Sequence, residues 1–173
     1  MNGPNDLWIN PHNGGIYFTD PYYQRPYWTR TSPEIERQKV YYLQKHKKPI
    51  VVADNLEQPN GIIGTPDGKY LYVADIKADK TYKYRIAGDG SLIERTLFAS
   101  KGSDGMTIDQ KGNVYITGKG VTVYDSKGKL IEHIDVPGEW TANITFGGKN
   151  KNLLFITATT SVYTLKMKVK GVQ

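Results

Sequence analysis

Along this chain, short apolar runs rich in β-branched and aromatic residues alternate with clusters of Gly, Asn, Asp and Lys, and no long helical period intervenes. Four segments repeat the same order. They read NDLWINPHNGGIYFTD from Asn5, NGIIGTPDGKYLYVAD from Asn60, DGMTIDQKGNVYITG from Asp104 and ANITFGGKNKNLLFITA from Ala142. Each opens on a small or polar pair, runs through an apolar strand, turns, and returns through a β-branched and aromatic strand, which predicts a hairpin. The starts lie near the roughly 40–50 residue period of a four-stranded propeller blade.

Further strand-like runs complete the repeats. The second continues through 80–86 and 92–99, the third through 120–124 and 130–136, and the first through 39–44 and 49–53 after an insertion over 21–38. The fourth reaches 161–169 without an outermost strand. The sequence therefore predicts an all-β fold, a β-propeller with about four blades in this chain, roughly 5–55, 60–99, 104–136 and 142–169. Propellers commonly close by lending an amino-terminal strand to the last blade. Met1 lies only four residues before the first inner strand, so the expectation is an incomplete ring, the carboxy-terminal part of a larger propeller. Ser32–Gln38 is the single helix-like stretch; 18 glycines and 9 prolines speak against a helical fold.

Composition narrows the picture. A 38% hydrophobic, 12% aromatic chain of 173 residues can bury a core, and no run approaches the roughly 18 apolar residues of a membrane helix. The expectation is a soluble protein, cytoplasmic or periplasmic. With no cysteine there are no disulfides, thiolate zinc sites or cysteine nucleophiles. The net charge of +6 comes mostly from lysines in turns, without a nucleic-acid-binding motif. No GxSxG elbow occurs, and His12, His46 and His133 fall in turn or strand contexts, which points away from a serine mechanism.

Candidate chemistry follows from the repeat. First strands line a propeller's channel, so equivalent residues at their starts converge on one axis. That register holds Asn5, Asn60, Asp104 and Ala142. Singly, Asn and Asp at a strand entry are turn formers. Together, two amide oxygens and a carboxylate facing one another suit a hard divalent cation, Ca²⁺ before Mg²⁺. Asp104 is the ionisable member of the set and the candidate general acid/base. The insertion, with Tyr22, Tyr23 and Arg25, offers a wall for a sugar ring or packs onto the propeller. Asp20 beside it, like Asp75 at the same repeat position, is a turn former or a substrate contact. Trp140 and Asn143 flank the fourth inner strand, where Asn143 could add a polar contact.

The phrases PNDL (4–7), YFTDP (17–21), QPNG (58–61), SDGM (103–106), TFGGK (145–149) and LKMKVKGV (165–172) fall in order across the chain and together resemble the gluconolactonase branch of the SMP-30/gluconolactonase family. The resemblance implies a six-bladed propeller with one catalytic divalent metal, usually calcium, that hydrolyses a sugar lactone such as glucono-δ-lactone. It implies Asn60 and Asp104 as metal ligands and Asn5 as a ligand or substrate contact. It also implies a first-blade glutamate ligand, for which no position here stands. Other readings are a non-catalytic binding propeller, an inactive fragment or an organophosphate-type hydrolase. Expected partners are a small lactone and, through the uncovered edge, a second copy, with neither nucleic acid nor membrane.

Overall fold

A computed structural model describes residues 1–172. Fifteen strands form four antiparallel meanders. The first sheet is β1 (Leu7–Ile9), β2 (Ile16–Asp20), β3 (Lys39–Leu43) and β4 (Ile50–Ala53). The second is β5 (Pro59–Gly64), β6 (Tyr70–Asp75), β7 (Lys80–Ile86) and β8 (Leu92–Ala99). The third is β9 (Met106–Ile108), β10 (Val114–Gly118), β11 (Gly120–Tyr124) and β12 (Leu130–Ile134). The fourth has three strands, β13 (Thr141–Gly147), β14 (Leu153–Ala158) and β15 (Ser161–Lys166). The expected all-β propeller arrangement of four blades is what forms. No helix occurs among the described residues, and Ser32–Gln38 runs through bends and coil instead.

Each hairpin closes where the sequence supplies turn chemistry. In the second, Asp67 accepts from the amide N–H of Lys69 at 3.1 Å while Gly68 takes a φ of 67° that a side chain would resist. In the third, Asp109 plays the same part for the amides of Lys111 and Asn113.

The blades pack face to face, and strand alternation assigns the faces. In β10, Val114 and Ile116 join the core shared by the first three blades, while Tyr115 points the other way, into the core shared with the fourth. Tyr115 meets Phe146 edge-on there, with ring centroids 5.3 Å apart. The second and third blades are covered on both faces, so β5 and β9 are buried at every position. The outer two blades are covered on one. In β1, Trp8 is buried against the second blade, yet Leu7 and Ile9 are 55% and 52% exposed although they are just as apolar. In the fourth blade Val162 is 66% exposed. After β15 the chain crosses back to the third blade, where Lys170 O accepts from Gln110 N at 2.9 Å and Gly171 bridges Asp109.

No helix among the described residues is long and apolar enough to cross a membrane.

Candidate functional site

The strand starts that share the repeat register lie at one end of the blades, and buried threonines stitch them together. Thr19 Oγ1, at the end of β2, donates to the carbonyl oxygen of Asn60 at 2.8 Å, and Thr117 Oγ1, at the equivalent place in β10, lies 3.2 Å from the carbonyl oxygen of Ala142. A residue of one blade thus holds the register position of the next. The backbones also come close across the blade seams. A Cβ on Gly61 would lie 2.6 Å from Asp104 O, and one on Gly105 would lie 2.2 Å from Asn143 Oδ1. Glycine follows the register residue in the second and third blades because nothing larger fits that approach.

Asn60 is 2% exposed. Its Nδ2 donates to the Tyr23 hydroxyl at 2.6 Å, which fixes the orientation of the amide, and its Oδ1 is buried without a hydrogen-bond partner. A buried carbonyl oxygen left unpaired costs about 1–3 kcal/mol, and a cation would relieve that cost. Asp104, beside it across the seam, accepts a hydrogen bond on Oδ2 from the indole N–H of Trp140 at 3.1 Å. Tyr23 is held above the usual phenol range, first by burial, with the Asp104 carboxylate adding to the effect and Asn60 and Arg25 opposing it. The Arg25 guanidinium lies 5.6 Å from the Tyr23 ring centroid. Tyr23, Asn60, Asp104 and Trp140 therefore form one neighbourhood drawn from three blade seams.

A second carboxylate belongs to this neighbourhood. Asp6 follows the register residue of the first blade, where the second and third blades carry glycine. Its Oδ2 accepts from the Ile62 amide at 3.1 Å across the seam, and its Oδ1 accepts from Leu7 N at 2.8 Å. Burial pushes its pKa up to about 6, the two amides pull it down, and Asp104 raises it. The break in the glycine pattern at position 6 was the one signal in the sequence for this residue.

The remaining expected residues divide. Asn5 occupies the register at the exposed side of the first blade; its amide donates to Thr19 O at 2.9 Å, and it lines an open apolar cleft with Leu7, Phe18 and Pro49. Asp20, expected as a turn former or a substrate contact, is tied to the backbone before β1. It is 1% exposed, and its two oxygens accept from the amides of Asn2 at 2.9 Å and Gly3 at 2.7 Å. Asp75 does the same for Glu57 and Gln58, both at 2.8 Å. Each carboxylate straps the segment that enters its blade's inner strand. Tyr22 also stands apart from the Tyr23 group. Its hydroxyl bonds Gln24, and Arg30 lies 5.2 Å from its ring and 4.9 Å from Trp28, so this part of the insertion packs on itself.

Two of the three histidines are engaged elsewhere, His12 on Pro66 O at 3.1 Å and His133 on Thr122 Oγ1 at 3.2 Å. Among the described residues, no group of three or more histidine, aspartate or glutamate side chains is placed to hold a metal. The donors in the Asn60 neighbourhood are an amide oxygen and carboxylates, and such a set suits a hard cation of flexible coordination.

Comparison with known proteins agrees with this fold. A sequence model described as the SMP-30/Gluconolactonase/LRE-like region matches residues 1–160. The chain is 29% identical to a gluconolactonase of Zymomonas mobilis over 99% of its own length and 52% of that protein's. It is 32% identical to the lactonase drp35 of Staphylococcus saprophyticus over 72% of its length and 40% of the relative's. Among solved structures, a gluconolactonase of Xanthomonas campestris superposes with a TM-score of 0.86 at 33% identity, covering 96% of this chain and 57% of that one. The chain spans about half the length of the curated relatives it matches.

Proposed function

This chain belongs to the SMP-30/Gluconolactonase/LRE-like family, and from that premise we propose that it hydrolyses a sugar lactone, with glucono-δ-lactone as the first substrate to test, at the end of the blades where Asn60 and Asp104 meet. The observation that carries the reading is the buried, unpartnered Oδ1 of Asn60, on a residue whose hydrogen-bond partner Tyr23 feels the Asp104 charge. An oriented amide oxygen and a nearby carboxylate are the beginning of a calcium site, and relatives of this chain are named gluconolactonase and lactonase.

Asn60 Oδ1 and the Asp104 carboxylate would hold the cation, with Asn5 the third donor at the same register. When bound, the cation supplies Lewis-acid polarisation of the lactone carbonyl. The chain's own groups supply the rest. Asp104 is the general acid/base: it takes the proton of the water that attacks the carbonyl carbon and returns it to the ring oxygen as the acyl C–O bond breaks, which leaves the open hydroxy acid. Tyr23 fixes the Asn60 amide so that its oxygen, and not its nitrogen, faces the site. Tyr23 and Arg25 also bring hydroxyl and guanidinium groups suited to sugar hydroxyls.

The test is proton release from glucono-δ-lactone, followed with added Ca²⁺ and with a chelator. Calcium-dependent release that Asp104→Asn abolishes is the expected result. The absence of any release above the spontaneous rate in Ca²⁺ would leave the chain a binding propeller.

A further inference from the structure

Trp140 is the residue before β13, and it is 43% exposed. The other two tryptophans are packed against other groups: Trp8 lies in the core, 5.9 Å from Tyr17, and Trp28 lies between Tyr22 and Arg30. Among the described residues Trp140 has neither an aromatic nor a cationic neighbour of this kind. The residue is held at its backbone and at its indole nitrogen all the same. Its carbonyl oxygen accepts from Thr159 N at 3.0 Å, which ties its backbone to the turn between β14 and β15. Its indole N–H donates to Asp104 Oδ2 at 3.1 Å, across 36 residues of sequence.

This arrangement leaves a large apolar surface in water, fixed beside a reactive carboxylate. An exposed indole that spends its one polar group on Asp104 has only its π face left to offer. A lactone of a sugar acid presents ring carbons and C–H bonds on one side and hydroxyls around its rim, the complement of such a face. Tyr23 approaches Asp104 from the first blade's insertion and provides the polar counterpart.

We infer that Trp140 is the platform on which the carbon face of the lactone lies and, through its N–H on Oδ2, the residue that leaves Oδ1 of Asp104 turned to the reaction. The inference rests on the lactonase reading for its substrate class. Trp140 has two separable parts, the ring and the N–H. Phenylalanine keeps an aromatic face and removes the donor, and leucine removes both.

The test combines direct binding with kinetics. The probe is gluconolactam, the non-hydrolysable amide analogue of the lactone, titrated in Ca²⁺ against tryptophan emission. The expected result is a saturable emission change in the native chain and in Trp28→Phe that is missing in Trp140→Phe. In kinetics, Trp140→Phe should keep KM within about threefold while kcat falls roughly tenfold, and Trp140→Leu should also raise KM and the lactam Kd roughly tenfold. Lactam binding that depends on Trp140 without turnover would support the platform and sink the lactonase reading. Turnover with KM and lactam Kd unchanged in Trp140→Leu would sink the platform and leave the lactonase reading standing. An unchanged kcat in Trp140→Phe would overturn the orienting role. Absence of lactam binding by the native chain would overturn the platform. If Trp140→Leu fails to fold, the Trp140→Phe emission and kcat measurements decide both parts.

Discussion

The Asn60 amide donates to the Tyr23 hydroxyl at 2.6 Å and thereby fixes the orientation of its own Oδ1, which is buried and unpaired. Groups that orient a metal ligand commonly change affinity by 10–100-fold when removed. Tyr23→Phe is therefore expected to weaken Ca²⁺ binding by about tenfold, read by calorimetric titration, while leaving the thermal midpoint in chelator nearly unchanged.

Calcium should bind the folded chain and stabilise it. At a hundred times Kd the gain is about 2.7 kcal/mol, which for a chain of this length raises the midpoint of unfolding by several degrees. Asp104→Asn and Asn60→Ala are each expected to remove most of that rise. A full calcium-dependent rise in either variant would locate the cation elsewhere.

Asp6 sets a pH dependence for the metal-free protein. Burial and the Asp104 charge hold its pKa at about 6 in the fold, against an ordinary 3.8. Between those two values the folded state keeps a proton that the unfolded chain has released. Stability therefore falls as pH rises from about 4 to about 6 and then levels, by about 2–3 kcal/mol at most. Denaturant midpoints in chelator should follow this course in the native chain, and Asp6→Asn should flatten that part of it.

Asp20 and Asp75 offer a contrast between strap and site. Each buried carboxylate receives at least two backbone amides, so replacement by alanine should cost about 3 kcal/mol of stability. If Asp20→Ala changes KM for the lactone rather than the unfolding midpoint, Asp20 touches substrate and the strap reading is wrong.

Much of this was legible in the sequence because it is periodic. Hairpins form from local patterns, and β7 spans 80–86 and β8 spans 92–99, where the run of β-branched and aromatic residues between turn clusters predicts them. The common register of Asn5, Asn60 and Asp104 is a property of the repeat, and the repeat is written in the chain. Strand ends were less legible. The run expected over 130–136 stops at Ile134, because pairing with β11 ends there.

The contacts that turn register into a site were not legible, because they join residues far apart in the chain. Tyr23 reaches Asn60, Trp140 reaches Asp104 and Asp6 reaches Ile62 over 37, 36 and 56 residues, each across a seam between blades. Asp20 shows the same limit from the other side. As a residue type at a turn beside an aromatic loop it fits a ligand contact, and only the fold reveals that the amides of Asn2 and Gly3 already occupy both its oxygens. The sequence by itself determined the strands, the repeat and which residues share a register, since alternation and turn chemistry act over a few residues. The tertiary structure decided which polar atoms are spent and which are left free. That is settled by how closely neighbouring blades approach, and the approach depends on the packing of whole sheets.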